Sequence, residues 1–158
     1  MSPGRRLGFV LIVVCAAALI FASSALAGKS WKRFMGRANK IHWTYNLKDG
    51  LAEAKAKHKP VMIDFMAVWC GPCKAMEDST FSNADVVRKA GAFVPVRIDI
   101  DKQRELAAKY NGLARKYGGV GIPNILFMKE DETRLKHIVG YYTPEQLVGA
   151  MDSALAMP

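Results

Sequence analysis

The sequence predicts an α/β domain built on a central mixed β-sheet with helices on both faces. Apolar, β-prone runs alternate with helical stretches through most of the chain, which is the order of β-α-β units. A hairpin and a capped helix follow at the C-terminal end. Together these two observations predict a sheet in which parallel and antiparallel strand pairs are combined.

Apolar runs and cap residues predict the elements of the N-terminal half of the domain. Asparagine accepts backbone N–H groups at a helix start, so Asn46 and Asn83 are each expected to cap a helix. The expected elements are a helix from Asn46 to about His58, ended by Pro60; a buried strand over Val61–Ala67; a helix from the Cys70–Cys73 segment through Glu77; a helix over Ala84–Ala90, closed by Gly91; a strand over Phe93–Ile100; and a helix over Asp101–Tyr110.

The C-terminal half is predicted to hold the hairpin and the last helix. Thr143, Pro144 and Gln146 have the spacing of an N-cap, a first helical position and a closed capping box. The expected elements are a further turn or two over Leu113–Tyr117 before Gly118-Gly119, a strand over Asn124–Met128, a turn over Glu130–Thr133, a strand over Arg134–Val139 with a bulge at Gly140, and a last helix with the apolar stripe Leu147, Ala150, Met151 and Leu155.

The N-terminal segment has the composition of a secretory signal. A short basic region over Met1–Arg6 is followed by the apolar run Leu7–Ala22 and then by small residues. Ala25 and Ala27 fit the small-x-small rule, which predicts cleavage after Ala27. The alternative is an uncleaved membrane anchor, for which the run is short of the roughly twenty residues that span a bilayer. We therefore expect an exported protein, periplasmic or extracytoplasmic, and tethered to the inner membrane if the leader is retained.

The rest of the chain divides at about residue 45. Residues 28–45 are basic and aromatic without clean periodicity, which favours a tether followed by a lead-in segment that packs against the domain. Residues 46–158 contain no internal repeat or low-complexity segment, and we expect them to form a single domain preceded by the signal or anchor segment 1–27.

The charge distribution argues against a nucleic-acid partner. The formal net charge is +9, but the basic residues are scattered and often interleaved with acids. A basic stripe that binds nucleic acid would be more clustered and would carry aromatic residues. We expect the charge to affect solubility and weak attraction to anionic surfaces instead.

The number of cysteines limits the kinds of site that the domain can contain. Cys15 lies in the leader, so the exported domain carries only Cys70 and Cys73. A small secreted domain stapled by disulfides would need more cysteines at larger separations, and a zinc site would need two further ligands. Covalent haem attachment requires a histidine where Lys74 stands. We therefore expect redox chemistry with no metal, and no cofactor beyond a redox-active disulfide, because a Gly-x-Gly-x-x-Gly motif is also missing.

The segment Cys70-Gly71-Pro72-Cys73 predicts an activated thiol at a helix start. Pro72 suits the first helical turn, where its missing N–H would be unpaired in any case. The unpaired N–H groups and the positive dipole end of that helix favour the thiolate of Cys70, which is the reactive form. Cys73 lies one helical turn further on, close enough to form a short disulfide. The pattern indicates a two-electron switch.

Asp64 is the single carboxylate inside the apolar run that precedes the two cysteines. A desolvated carboxylate has a raised pKa and can accept a proton near neutrality. We expect Asp64 to deprotonate Cys73, directly or through water. The alternative is an acid at the strand end that reaches solvent or pairs with a lysine.

These residues resemble the thioredoxin superfamily. The similarity lies in Trp69-Cys-Gly-Pro-Cys73, in Asp64 six residues before Cys70, and in Gly121-Ile-Pro123, and it covers about Leu47 to Leu155. Lys59–Asp64 and Met76–Phe81 further resemble the C-terminal domain of membrane thiol:disulfide interchange proteins (DsbD-like). Asn124 departs from the threonine common after the proline, the segment from Tyr110 to Tyr117 is longer than usual, and the large membrane domain is absent.

The resemblance implies a thioredoxin fold and a role for each site residue. Cys70 would be the nucleophile, Cys73 the resolving thiol of a Cys70–Cys73 redox disulfide, and Asp64 the proton acceptor. The substrate-binding residues would be Trp69, Gly71, Pro72, Ile122 and Pro123, with Pro123 in the cis form and the Ile122 backbone pairing with an extended substrate. Simple packing is the alternative for Trp69, and an ordinary strand-entry proline is the alternative for Pro123.

Other side chains that could take part in chemistry are interpreted more simply. Arg97 occupies the position of a thioredoxin lysine near the buried acid, yet we interpret it, with Lys57 and Lys74, as solvated charge. His58 and His137 are interpreted as surface residues, and Met62, Met66 and Met76 as core filler.

The predicted function is an exported thiol:disulfide oxidoreductase that reduces protein disulfides or relays electrons to them. Its expected partners are disulfide-bearing client proteins and a membrane electron donor that recharges it. A disulfide-forming oxidant or isomerase is an alternative that uses the same chemistry in the other direction. A binding or assembly module whose thiols matter little is an alternative from another class.

Overall fold

The alternating elements expected from the sequence are present in the computed structural model, which describes residues 40–111, with only the backbone of Asn111, and residues 121–158. The predicted signal or anchor segment, the first part of the tether and the turns predicted over Leu113–Tyr117 and at Gly118-Gly119 lie outside the described residues. The elements are α1 (Leu47–Lys57), β1 (Val61–Met66), α2 (Gly71–Ser79), α3 (Ala84–Ala90), β2 (Val94–Asp99), α4 (Arg104–Leu106) with a π-helical turn (Ala107–Asn111), β3 (Asn124–Met128), β4 (Arg134–Val139) and α5 (Pro144–Leu155).

The four strands form one mixed sheet in the order β2-β1-β3-β4. β1 pairs with β2 in parallel, whereas β1 pairs with β3, and β3 with β4, in antiparallel. The register places Asp64 on β1 directly beside Arg97 on β2. The predicted mixed sheet is therefore confirmed, and its register brings a buried carboxyl next to the cationic side chain of Arg97.

Each face of the sheet is covered by helices. One face carries α2, α3 and α5, which bury Met76, Val86 and Met151 against strand residues such as Phe127. The other face carries α1 and the π-helical turn, which bury residues such as Ala54 and Tyr110. Because alternate side chains of β1 point to opposite faces, the strand contributes to both cores and is buried over most of its length. Helices on both faces are confirmed.

The predicted helix caps are formed as the sequence indicates. The Asn46 side chain accepts the N–H groups of Lys48 and Asp49, and Asn83 caps α3 in the same way. Thr143 and Gln146 make both bonds of the capping box at the start of α5. Short polar side chains at these positions supply acceptors for the backbone N–H groups that lack partners within the helix.

The helix predicted over Asp101–Tyr110 differs from the prediction. The chain first makes a turn, and α-helical structure begins only at Arg104, after Gln103, whose side chain provides no cap. The helix then widens into a π-helical turn at Ala107–Asn111. The Tyr110 hydroxyl donates to Oε2 of Glu132, which lies in the hairpin turn between β3 and β4, at 2.6 Å. Contact with a distant segment accompanies the change, which local propensity does not encode.

Two smaller predictions in the C-terminal part are wrong. The strand irregularity lies between Phe127 and Met128, whereas Gly140 follows β4 in the left-handed region at φ 97°. Leu155 is 40% exposed, and Ala154 takes the buried position on α5. In the last turn of the helix, the residue that faces the sheet is therefore one position earlier than the predicted stripe has it.

The described part of the lead-in contacts the domain. Thr44 forms an isolated parallel bridge with Val96, and its N–H and carbonyl bond to the backbones of Pro95 and Arg97 at 2.9 and 2.8 Å. Trp43 packs edge-on against Phe81. The free edge of β2 is therefore partly paired. Within residues 40–111 and 121–158, no helix combines the length and apolar character needed to cross a membrane.

Candidate active site

A disulfide joins Cys70 and Cys73 at the start of α2. Cys70 is the N-cap residue, and its sulfur accepts the backbone N–H of Cys73 at 3.2 Å. Both cysteines are buried, with 4% and 7% of their surface exposed. A helix N-terminus stabilises negative charge, so the geometry favours a thiolate at Cys70 once the disulfide is reduced.

The local sequence accounts for this geometry. Pro72 lies in the first turn of α2, where a residue without an N–H is tolerated. The Cys70 N–H donates to the Ala67 carbonyl at 3.1 Å, and the Cys70 carbonyl accepts the Lys74 N–H at 3.1 Å. Gly71 and Pro72 are exposed, so the turn between the cysteines is open to a partner chain.

The loop before β3 lies beside the disulfide. Ile122 packs against the small apolar cluster of Ala67, Cys70 and Cys73. The Ile122–Pro123 bond is cis, as the sequence predicted, and the Pro123 carbonyl accepts the Gly140 N–H at 2.8 Å. The structure thus brings residues that are about fifty positions apart in the chain into contact.

Asp64 is buried behind the disulfide, with 2% of its surface exposed. Burial raises the pKa of its carboxyl to about 6, although the charge of Arg97 and a hydrogen bond from it act in the opposite direction. Asp64 and Cys73 both line a cavity of about 210 Å³, together with Glu77 and Arg97. Much of the lining is apolar, and Asp64, Glu77 and Arg97 supply polar groups that can hydrogen-bond water in a cavity of this size.

Arg97 is not the solvated charge that the sequence suggested. Its side chain is 11% exposed, its Nε donates to Asp64 Oδ2 at 2.9 Å, and its Nη2 pairs with Glu77 Oε2 at 2.6 Å. The guanidinium also lies over the ring of Trp43, 4.2 Å from its centroid. Sequence reasoning placed Arg97 near the acid by resemblance but missed its partners Glu77 and Trp43. Glu77 lies on α2 and Trp43 in the lead-in, so only the packing of these segments near β2 brings them to Arg97.

Trp69 lies at the surface next to the cysteines. It is 67% exposed, and its indole N–H donates to Asp101 Oδ2 at 2.7 Å. Val68 and Tyr45 are also exposed large apolar residues, at 78% and 65%. The hydrogen bond to Asp101, which the sequence did not predict, holds the exposed indole in place.

His137 is not a surface residue either. It is half-buried on β4, and its Nε2 lies 3.1 Å from Asn124 Oδ1. Burial and the nearby charge of Arg134 lower the pKa of His137 to about 4. His58, by contrast, is exposed at the C-terminal end of α1, as predicted. The two histidines differ because His137 lies within β4, whereas His58 follows the end of α1.

The other residues singled out from the sequence lie in the core or at the surface. Met62 and Met76 are fully buried in the core, as predicted, and Lys57 is exposed and paired with Glu53. Among the side chains that the structure describes, no group of three or more His, Cys, Asp or Glu residues could hold a metal ion.

The Cys70–Cys73 disulfide lies at a helix start on a mixed sheet, with a buried acid behind it and a cis-proline loop beside it. This arrangement defines a thioredoxin-fold protein with a Cys-x-x-Cys site. The family model described as a thioredoxin-like domain matches residues 47–155. The chain belongs to this family. The resemblance inferred from its motifs is confirmed.

Individual relatives agree with this assignment. Thioredoxin H7 of Arabidopsis thaliana is 34% identical over 94 residues, covering 60% of this chain and 64% of the relative. The thiol:disulfide interchange protein DsbD of Vibrio cholerae is 38% identical over 81 residues, covering 51% of this chain and 13% of that protein. The chain therefore matches less than two thirds of the length of either relative. The C-terminal domain of Neisseria meningitidis DsbD in the reduced form has a TM-score of 0.55 at 26% identity, covering 68% of this chain and 93% of that chain.

Proposed function

We propose that this protein is an exported thiol:disulfide oxidoreductase that reduces protein disulfides, or relays electrons to them, through Cys70 and Cys73. The observation that carries the proposal is the disulfide at the N-terminus of α2. Its Cys73 lines the same cavity as the buried acid Asp64. A disulfide that only cross-linked the chain would not require a buried carboxylate beside it. Membership of the thioredoxin-like family supports the same chemistry.

The reaction begins with the reduced dithiol. The Cys70 thiolate attacks one sulfur of a client disulfide, forms a mixed disulfide and releases the other client sulfur as a thiolate. The Cys73 thiolate then attacks Cys70 Sγ, which closes the Cys70–Cys73 disulfide and releases the second client thiolate. The client gains two electrons and the protein loses two, and the two thiol protons of the enzyme balance those taken up by the client.

Asp64 accepts the proton of Cys73 during the second step. A pKa of about 6 leaves the carboxyl mostly ionised at neutral pH, yet basic enough to take a proton transiently. The cavity between Asp64 and Cys73 gives water a place to carry that proton. Arg97 holds the carboxylate in place through its Nε.

The client lies across the surface formed by Trp69, Gly71, Pro72, Ile122 and Pro123. Gly71, Pro72 and Trp69 are exposed and border the disulfide, so they offer a flat surface to an approaching chain. The Ile122 backbone pairs with an extended client segment, as in short β-augmentation. Such contacts are sequence-tolerant, which suits a protein with several clients.

A membrane partner reduces the Cys70–Cys73 disulfide of the oxidised protein with electrons from a dithiol of its own. Such a partner is needed because an exported protein has no access to cytoplasmic reductants. The basic, apolar and small-residue regions before residue 28 supply the export signal, or an anchor if they are retained. The relatives of the thiol:disulfide interchange type support this setting.

The proposal is tested by trapping thiols in cells and by capturing partners with Cys73→Ser. A client attacked by Cys70 stays attached when the resolving thiol is removed, so we expect disulfide-linked clients and a largely reduced wild-type protein. A Cys70→Ser, Cys73→Ser double variant is the matched control. A largely oxidised wild-type protein would indicate a disulfide-forming oxidant or isomerase. Without trapped clients, a binding module would be the better description.

A further inference from the structure

The side chain of Asn124 bridges the cis-proline loop and β4. It is 1% exposed, and its Nδ2 donates to the Gly121 carbonyl at 3.0 Å. Its Oδ1 lies 3.1 Å from His137 Nε2. One amide therefore contacts the first residue of the loop Gly121–Pro123 and a residue on the neighbouring strand.

The carbonyl partner determines the direction of both hydrogen bonds. A carbonyl oxygen can only accept, so the amide atom facing Gly121 must be the nitrogen. The other amide atom is then an oxygen, which can only accept, and His137 must donate to it through Nε2–H. The chain of donors runs from His137 to Asn124 to Gly121, and replacing His137 by an apolar residue removes its first member.

Sheet geometry makes this bridge possible. β3 and β4 pair so that Leu126 is opposite His137, and Asn124 projects to the same face as Leu126, two residues away. The Gly140 N–H adds a second attachment, because it donates to the Pro123 carbonyl at 2.8 Å. Both ends of the loop Gly121–Pro123 are thus tied to β4 or to the residue that follows it.

We infer that His137 and Asn124 are positioning residues that hold the loop Gly121–Pro123 in the orientation in which it receives a client segment. The inference rests on the proposed function, because it assigns the same loop to client binding. His137 lies on the face of the sheet opposite Asp64 and reaches the loop through Asn124. Its loss should weaken the binding of an extended client and leave the exchange chemistry of the dithiol intact.

Two reduction assays separate client binding from dithiol chemistry. The first measures reduction of insulin, a protein with disulfides, and the second measures reduction of hydroxyethyl disulfide, which has no peptide segment to pair with the loop backbone. For His137→Leu we expect KM for insulin to rise about fivefold, the usual effect of one lost hydrogen bond, with kcat and hydroxyethyl disulfide reduction unchanged. His137→Gln, whose amide nitrogen can reach the position of Nε2, should restore KM. Lys136→Leu on the same strand is the matched control.

Hydrogen exchange of the Gly140 amide provides a readout that does not depend on activity. Release of the loop should speed this exchange in His137→Leu and leave it unchanged in His137→Gln and Lys136→Leu. If the wild-type protein reduces insulin but His137→Leu has an unchanged KM, or if both substrates are affected equally, the inference is wrong. If the wild-type protein reduces neither substrate, the proposed function fails, and unchanged Gly140 exchange in His137→Leu would then overturn the positioning role on its own.

Discussion

At the scale of single residues, Asp64 shows two opposed influences on one carboxyl. Burial disfavours its charged form, whereas Arg97 at 2.9 Å favours it. The pKa of about 6 means that burial has the larger effect. The negative charge of Glu77, which also pairs with Arg97, adds a smaller effect that raises the Asp64 pKa in the same direction as burial. The carboxyl is therefore mostly ionised at neutral pH, as the proposed role of proton acceptor requires.

Replacing Asp64 by asparagine should slow resolution of the mixed disulfide. Asparagine keeps the shape of the side chain but cannot accept the Cys73 proton, so we expect a decrease on the order of 10²-fold at pH 7. The wild-type rate should rise with pH around the Asp64 pKa of about 6, and this rise should disappear in Asp64→Asn. Rapid-mixing measurements with a preformed Cys70 mixed disulfide across pH 5 to 9 would follow the step.

Asp78→Asn is the matched control, because Asp78 lies exposed on α2. Its pH profile should coincide with that of the wild-type protein. Identical profiles for Asp64→Asn and the wild-type protein would show that the proton goes elsewhere.

At the scale of elements, the packing of α1 on the sheet depends on a glycine. Gly50 is buried in the helix, and a Cβ added there would overlap Val96 Cγ2 on β2. Valine is branched at Cβ and cannot easily rotate away inside a close-packed core. Gly149 on α5 is the opposite case, since an added Cβ meets nothing within 4 Å. The two helices thus contain glycines for different reasons.

Alanine substitutions at these two glycines should have opposite effects on stability. Gly149→Ala should stabilise the protein by about 0.5–1 kcal/mol, the usual preference for alanine over glycine inside a helix. Gly50→Ala gains the same preference but overpacks the contact with Val96, and we expect a net loss of about 1–2 kcal/mol. Urea denaturation of both variants measures the difference. Equal stabilisation by both substitutions would mean that α1 can move away from β2 at little cost.

At the scale of the whole molecule, the buried Asp64 and the half-buried His137 have opposite effects on how stability changes with pH. Asp64 faces the core beneath α2, and His137 faces the other side of the sheet. Between pH 3.8 and about 6 the folded state binds more protons at Asp64 than the unfolded state does, so this group destabilises the fold as pH rises. Between about pH 4 and 6.5 the folded state binds fewer protons at His137, so that group stabilises the fold as pH rises.

Removing either group should therefore change the pH dependence of unfolding in opposite directions. Asp64→Asn should be more stable than wild type at pH 7 by about 3 kcal/mol, because its displaced pKa no longer opposes folding, and this gain should vanish as pH falls below about 4. The advantage of His137→Gln over wild type should grow as pH falls from 6.5 towards 4. Urea titrations of the oxidised proteins at several pH values would check both trends. Parallel curves for all three proteins would refute the assignment.

Much of the fold could be predicted from local patterns. Asn46, Asn83 and Thr143 act as caps because their side chains satisfy backbone groups within three residues, a relation visible in any short stretch. The helix after Gln103 could not be predicted in the same way. Its π-helical turn accompanies the contact between Tyr110 and Glu132, which are brought together only when the hairpin is folded.

The sequence by itself determined the dithiol, its helix-start geometry, the buried acid before it and the family, since each follows from neighbouring residues or from a motif. Tertiary structure alone decided the pairing of Arg97 with Asp64 and Glu77, its stacking on Trp43, and the bridge from His137 through Asn124 to Gly121. These contacts depend on strand register, and register depends on how whole faces of the sheet are buried. For this reason Arg97, which we interpreted from the sequence as a solvated charge, is largely buried beside Asp64 in the folded protein.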